Sequence, residues 1–221
     1  MSAGVSDPST TRMLAERTTT AVMGRLRAGG QEVTASFVDL AGMASDIGRS
    51  LVSADPMATV QRAIELVGTA DGLIVATPVY KAGISGLFKW FADLLDDDLI
   101  VAKPVVLSAR PEPLVTRWWW TNTSGHCSRS CVMPVPTSLF AAPEDWADPA
   151  LRKRIDRAAV EFTELVTARV GQAIADAAWQ GYQHQFAGNA TRAEKSADDL
   201  DFDTHLMRLA AGGSPLANTQ P

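Results

Sequence analysis

Four hydroxyl side chains crowd the start of the chain: Ser6, Ser9, Thr10 and Thr11. Set just ahead of a helix or in its first turn, they offer hydroxyls beside backbone N–H groups at the positive helix end, which suits a phosphate. Ordinary helix capping uses the same residue types. A second cluster is Thr77-Pro78-Val79-Tyr80-Lys81-Ala82-Gly83-Ile84-Ser85-Gly86. It follows an apolar run, so a Pro and an aromatic stand where a strand leaves its sheet, and the glycines let backbone approach a flat ring. A plain strand–helix connection would look much the same. Other groupings are weaker. Gly83 and Gly86 lack the first glycine and the later acid of a dinucleotide fingerprint. His126, Cys127 and Cys131 offer metal-ligand types without a partner pair, so no metal site is expected. His184 and His205 stand alone, and Asp96-Asp97-Asp98 reads as a solvated helix end.

The elements that must position these clusters follow from periodicity. Ser9 to Arg12 can cap a helix carrying Met13, Leu14, Ala21, Val22 and Leu26, with Gly29-Gly30 ending it. Val33, Ala35 and Phe37 alternate with polar neighbours as a half-buried strand. Val60, Ile64 and Val67 mark a second helix. Leu73 to Thr77 fits a strand buried on both faces. A loop from Pro78 to Ser85 leads to a third helix bearing Leu87, Phe88, Trp90, Phe91, Leu94 and Leu95. Pro104 to Ala109 and Pro136 to Ala142 read as further strands, and Asp148-Pro149 opens a long helix to about Trp179. Such alternation predicts an α/β fold, a parallel sheet covered on both sides.

Composition narrows the function classes. The chain has 221 residues, 46% hydrophobic and 20% charged, which favours one large core over disorder. Its net charge of −5, without a basic block, argues against nucleic acid. No apolar run is long enough to span a membrane, and the first residues lack the features of a signal peptide. Two cysteines are too few for a disulfide scaffold. The expectation is a cytoplasmic α/β domain over residues 1–180, with a partly disordered C-terminal extension over 181–221.

The segments Ala76-Thr77-Pro78-Val79-Tyr80, Ser85-Gly86-Leu87-Phe88-Lys89 and Lys103-Pro104-Val105-Val106 resemble the core of the NADPH-dependent FMN reductases. Residues 2–12 and 136–146 resemble an actinobacterial-type branch of that family. The resemblance implies a flavodoxin-like, doubly wound, three-layer parallel sheet of strand order 2-1-3-4-5. It implies FMN as cofactor, NADPH as reductant, and a homodimer or homotetramer. By the family's pattern Ser9, Thr10 and Thr11 would hold the FMN phosphate. Pro78, Val79 and Tyr80 would line the isoalloxazine ring, and Ser108 would complete the cofactor site. Hydride transfer from NADPH belongs to the cofactor, so no catalytic side chain is expected. Two alternatives stay open: a quinone or small-oxidant reductase with tightly bound FMN, and a non-catalytic degenerate relative.

Two departures from the pattern stand out. In the family, four or five apolar residues precede the triplet matched by Ser2-Ala3-Gly4, so the central first strand is expected to be largely missing here. Secondly, Arg110 to Val132 holds three of the six tryptophans in a row and both cysteines, with no clear period. Tryptophan has a single codon. Reading from one base earlier turns Trp118 to Thr121 into an apolar residue followed by valine-valine-aspartate, and then a leucine-phenylalanine-rich helix that resembles the family. Two compensating frameshifts, near Arg110 and near Met133, are inferred. The chain as written is therefore expected to be a poor reductase, and restoring the frame and the upstream apolar residues should raise FMN affinity and NADPH oxidation.

Overall fold

A computed structural model describes residues 1–53, 55–81, 83–96, 99–100, 102–110 and 137–178. The inferred frameshift segment beyond Arg110, His126, Cys127, Cys131, His184, His205, Asp97, Asp98 and the C-terminal extension lie outside the described residues. Helix α1 spans Thr10–Ala28, α2 Ala44–Ser53, α3 Ala58–Thr69, α4 Gly86–Ala92, α5 Pro149–Thr167 and α6 Val170–Ala178. Strands are β1 Leu73–Tyr80, β2 Gly83–Ile84, β3 Val105–Arg110 and β4 Leu139–Phe140. Among the described residues, no helix is long and apolar enough to cross a membrane.

Strand β1 lies parallel to β3, pairing Leu73 with Val105 through to Pro78 with Arg110, and β3 lies parallel to β4. On the other edge of β1, Ser2 bridges in parallel to both Ala76 and Asp39. Set aside the short hairpin strand β2, and the order across the sheet is segment 38–40, segment 1–3, β1, β3, β4. In chain order this is 2-1-3-4-5, the flavodoxin-like arrangement. The first strand is reduced to a few residues. Ser2 N–H donates to Val38 O, Ala3 N–H to Ala76 O, and Leu40 N–H to Ser2 O, each at 2.9 Å.

Side-chain alternation along the strands divides the core into two layers of packing. Val106 and Leu139 meet Leu14, Val22, Leu26, Leu151, Ile155, Ala158 and Phe162 of α1 and α5 on one face. Opposite, Ala3, Val38, Leu40, Ile47, Val60, Ile64, Val67 and Phe91 bury the inner stripes of α2, α3 and α4. Each fully buried aliphatic or aromatic side chain contributes roughly 1.5–3 kcal/mol, so these two interfaces hold the fold.

The structure corrects several expectations. The strand at Val33 to Phe37 forms no ladder; the parallel bridge on that side of the sheet joins Ser2 to Asp39, just past it. The 78–85 loop is a hairpin, β2 turning back antiparallel on Val79 and Tyr80. The third helix stops at Ala92, and the 136–142 strand shortens to two residues. The helix to Trp179 breaks after Thr167, where Arg169 takes a left-handed φ of 50°. That break lets α6 dock so closely that a Cβ on Gly171 would lie 2.5 Å from Ala102 O. Helix α2 carries too short an apolar stripe, Ile47 and Leu51, to stand out in the sequence.

Candidate functional site

Both hydroxyl-rich clusters arrive at the carboxyl edge of the sheet, where open α/β folds bind ligands. Ala3 is fixed to Ala76, so the chain from Gly4 onward rises past the end of the sheet before entering α1. Ser9 is the N-cap: its Oγ accepts the Arg12 N–H at 3.2 Å. The turn is tight, since a Cβ on Gly4 would come within 2.1 Å of Ser9 Oγ. Only glycine allows that approach. Ser9 and Thr10 are half-buried, Thr11 is buried and Ser6 is exposed. The Ser9 hydroxyl proton and the first-turn N–H groups of Thr10 and Thr11 have no intrahelical acceptor of their own. Arg12, the cation in this turn, points elsewhere: it pairs with Glu16 at 2.8 Å and Asp39 at 3.2 Å and lies 4.7 Å over the Phe37 ring. The hydrogen bond to Glu16, reinforced by Asp39, holds its guanidinium above the ordinary range. Anion binding at this terminus therefore falls to neutral donors.

The second wall is the β1–β2 hairpin. Pro78 is buried, Val79 half-buried, and Tyr80 52% exposed at the tip, beside a left-handed Lys81 with φ of 51°. The expectation that Pro78 to Tyr80 sit at the sheet's carboxyl edge, between parallel strands, is met. Sequence reasoning missed the brace beneath them. Thr77 Oγ1, fully buried, accepts the Ser85 N–H at 3.3 Å and lies 3.2 Å from Ser85 Oγ. Ser85 Oγ in turn accepts the Phe88 N–H, capping α4. One hydroxyl pair thus ties the strand exit to the start of the next helix. Two hydroxyl residues flanking a Pro-Val-Tyr turn were the available signal.

Ser108 lies in β3 level with Ala76 and Leu139. By alternation it shares the Val106 face, toward α1. It is fully buried, and among the described residues its Oγ has no hydrogen-bond partner. A buried hydroxyl left unpaired costs about 1–3 kcal/mol, so it marks a place where a polar ligand atom would be favoured.

These features fit the phosphate end of a flavin mononucleotide: a helix terminus with hydroxyls and a glycine turn that clears space. For the ring they supply one wall, the Pro78–Tyr80 hairpin.

Residues 1–111, half of the chain, match the profile of the NADPH-dependent FMN reductase family. The chain belongs to this family. It is 34% identical over 109 residues to the NADH-dependent FMN reductase SfnE of Pseudomonas putida, covering 49% of this chain and 56% of that protein. It is 32% identical over 111 residues to the FMN reductase (NADPH) of Pseudomonas aeruginosa, with the same two shares. The chain thus spans little more than half the length of the curated relatives it matches. Among solved structures, an oxidoreductase from Corynebacterium diphtheriae superposes with a TM-score of 0.70 at 31% identity, over 75% of this chain and 93% of the other. The apo form of an NADH:FMN oxidoreductase superposes at 0.63 and 24% identity, over 74% of this chain and 86% of the other, which shows the shared fold. Membership in the FMN reductase family agrees with the match carrying both walls just described, since residues 1–111 include α1, the hairpin and β3.

Proposed function

We propose that this member of the FMN reductase family binds FMN at the carboxyl edge of its sheet and supports FMN reduction by NAD(P)H. The observation that carries the reading is the convergence at one edge of the Ser9-capped α1 terminus and the Thr77–Ser85-braced hairpin. Ser9, Thr10, Thr11 and the first-turn N–H groups would receive the phosphate, and Ser108, buried in β3, would complete the cofactor site. Pro78, Val79 and Tyr80 would hold one side of the ring. Bound there, FMN supplies the redox chemistry, accepting hydride equivalents from a nicotinamide. The protein's part is placement: no side chain in the described site is needed as acid or base.

The test is NADPH oxidation with added FMN, by the chain as written and by a version with its reading frame restored between Arg110 and Met133. FMN-dependent oxidation is expected, faster in the restored chain. Absence of FMN-dependent oxidation in both contradicts the reading. Release of FMN during turnover separates an FMN reductase from a quinone or small-oxidant reductase that retains it.

A further inference from the structure

Arg12 is a cation placed beside the phosphate end yet turned away from it. It follows the Ser9 cap within the first turn of α1, and its own N–H donates to Ser9 Oγ at 3.2 Å. Helical side chains lean toward the helix N-terminus, so a long side chain at this position can extend over the unpaired first-turn N–H groups. In this structure it is drawn elsewhere. Its Nε donates to Glu16 Oε1 at 2.8 Å, one turn further along α1, and a terminal guanidinium nitrogen donates to Asp39 Oδ2 at 3.2 Å. The Phe37 ring lies against the same guanidinium, 4.7 Å away.

Asp39 is fixed by its own surroundings and not by the arginine. Its Oδ1 accepts the Ala41 N–H at 3.1 Å, and its backbone bridges to Ser2 in the sheet. Glu16 belongs to α1 itself. Three partners on two elements thus hold one side chain that stays half-exposed. Exposed ion pairs of this kind contribute little to stability, but they decide where the guanidinium points. A guanidinium on the phosphate would add a full positive charge and a two-pronged donor to the hydroxyls and N–H groups already there. With Arg12 held back, the phosphate meets neutral donors alone.

We propose that Glu16 and Asp39 form a latch that keeps Arg12 off the phosphate, so that FMN binds weakly enough to exchange during turnover. This rests on the α1 terminus being the FMN phosphate site and refines that reading. Asp39 and Glu16 become the residues that set whether FMN is a passing substrate or a retained group. Neither acid touches the ligand; both are positioning residues that act through Arg12.

A double-mutant cycle on the full chain tests the latch. Glu16→Gln combined with Asp39→Asn removes both charges while keeping the side-chain shapes and an acceptor for the Ala41 N–H. Arg12→Met is made in the parent and in that acid-neutral background. Dissociation constants for FMN and riboflavin and the rate of FMN release are measured on all four proteins, with urea midpoints to follow folding. The acid-neutral protein is expected to bind FMN about tenfold more tightly and to release it correspondingly more slowly, with riboflavin changed by less than about twofold. Arg12→Met should alter FMN binding by less than about twofold in the parent, yet abolish the gain in the acid-neutral background. An equal effect of Arg12→Met in both backgrounds overturns the proposal, since the arginine would then act as a fixed charge or already touch the phosphate. So does an unchanged FMN constant in the acid-neutral protein, the result expected if the freed arginine turns instead to Asp7, exposed in the same turn. A parent that binds FMN no better than riboflavin removes the phosphate reading itself, and the latch with it.

Discussion

Ser9 does two jobs at once, and substitution can separate them. As N-cap it satisfies the Arg12 N–H; as a hydroxyl at a positive helix end it can donate to a phosphate. Ser9→Ala removes both, which should cost about 1 kcal/mol of stability and weaken FMN by roughly 1–3 kcal/mol. Ser9→Asp keeps a good cap but sets a carboxylate against the phosphate. Urea unfolding should show Ser9→Asp close to the parent, while FMN titration shows it weaker than Ser9→Ala. Equal FMN binding by all three would leave Ser9 as a cap alone. At the Met1 amine, burial lowers the pKa from 8.0 to about 6, with Asp39 pulling partly back. The unfolded amine then binds more protons than the folded one between about pH 6 and 8, so stability rises with pH across that window. With a free amine at Met1, the gain from pH 6 to 8 is about 2 kcal/mol. N-terminal acetylation should abolish it, as read by urea midpoints at the two pH values.

At the scale of elements, a buried hydroxyl pair braces the hairpin below its own ladder. Thr77→Val keeps the shape but leaves the Ser85 N–H without its acceptor, at about 1–3 kcal/mol. Thr77→Ser should retain most of the bond. We expect the valine variant to lose both stability and FMN affinity, and the serine variant to keep FMN affinity near the parent's; a valine variant as stable as the parent would show the brace to be dispensable. The two hydroxyl residues were visible in the sequence but their contact was not, because a Thr–Ser pair eight residues apart has no period. What the sequence did carry were elements with strong local patterns: α1 with its Ser9 cap, α3, β1, β3 and the Asp148 cap of α5, whose Oδ1 accepts from Ala150 N–H at 2.8 Å. The strand at 33–37 has a good alternation yet no ladder, since a strand exists only with a partner. Its pattern was sound, and its failure is tertiary. The α5–α6 break was equally hidden, for Arg169, which takes the left-handed φ there, is an ordinary residue in sequence.

Across the whole molecule, the two ends of the sheet differ in completeness. The carboxyl edge holds a formed helix terminus and a braced hairpin. The amino edge holds the unladdered 33–37 segment. The flavin site proposed at the first needs only that α1 and β1 keep their places, which the Leu14–Val106–Phe162 packing secures from one face. The phosphate is the part of FMN that the structure addresses most fully, so the phosphate should dominate affinity. Isothermal titration of the purified chain with FMN and with riboflavin, which differs by lacking that group, tests this directly. The account predicts saturable FMN binding and at least about tenfold weaker binding of riboflavin, equivalent to about 1.4 kcal/mol. Equal affinity for the two, or no binding of FMN, would contradict it.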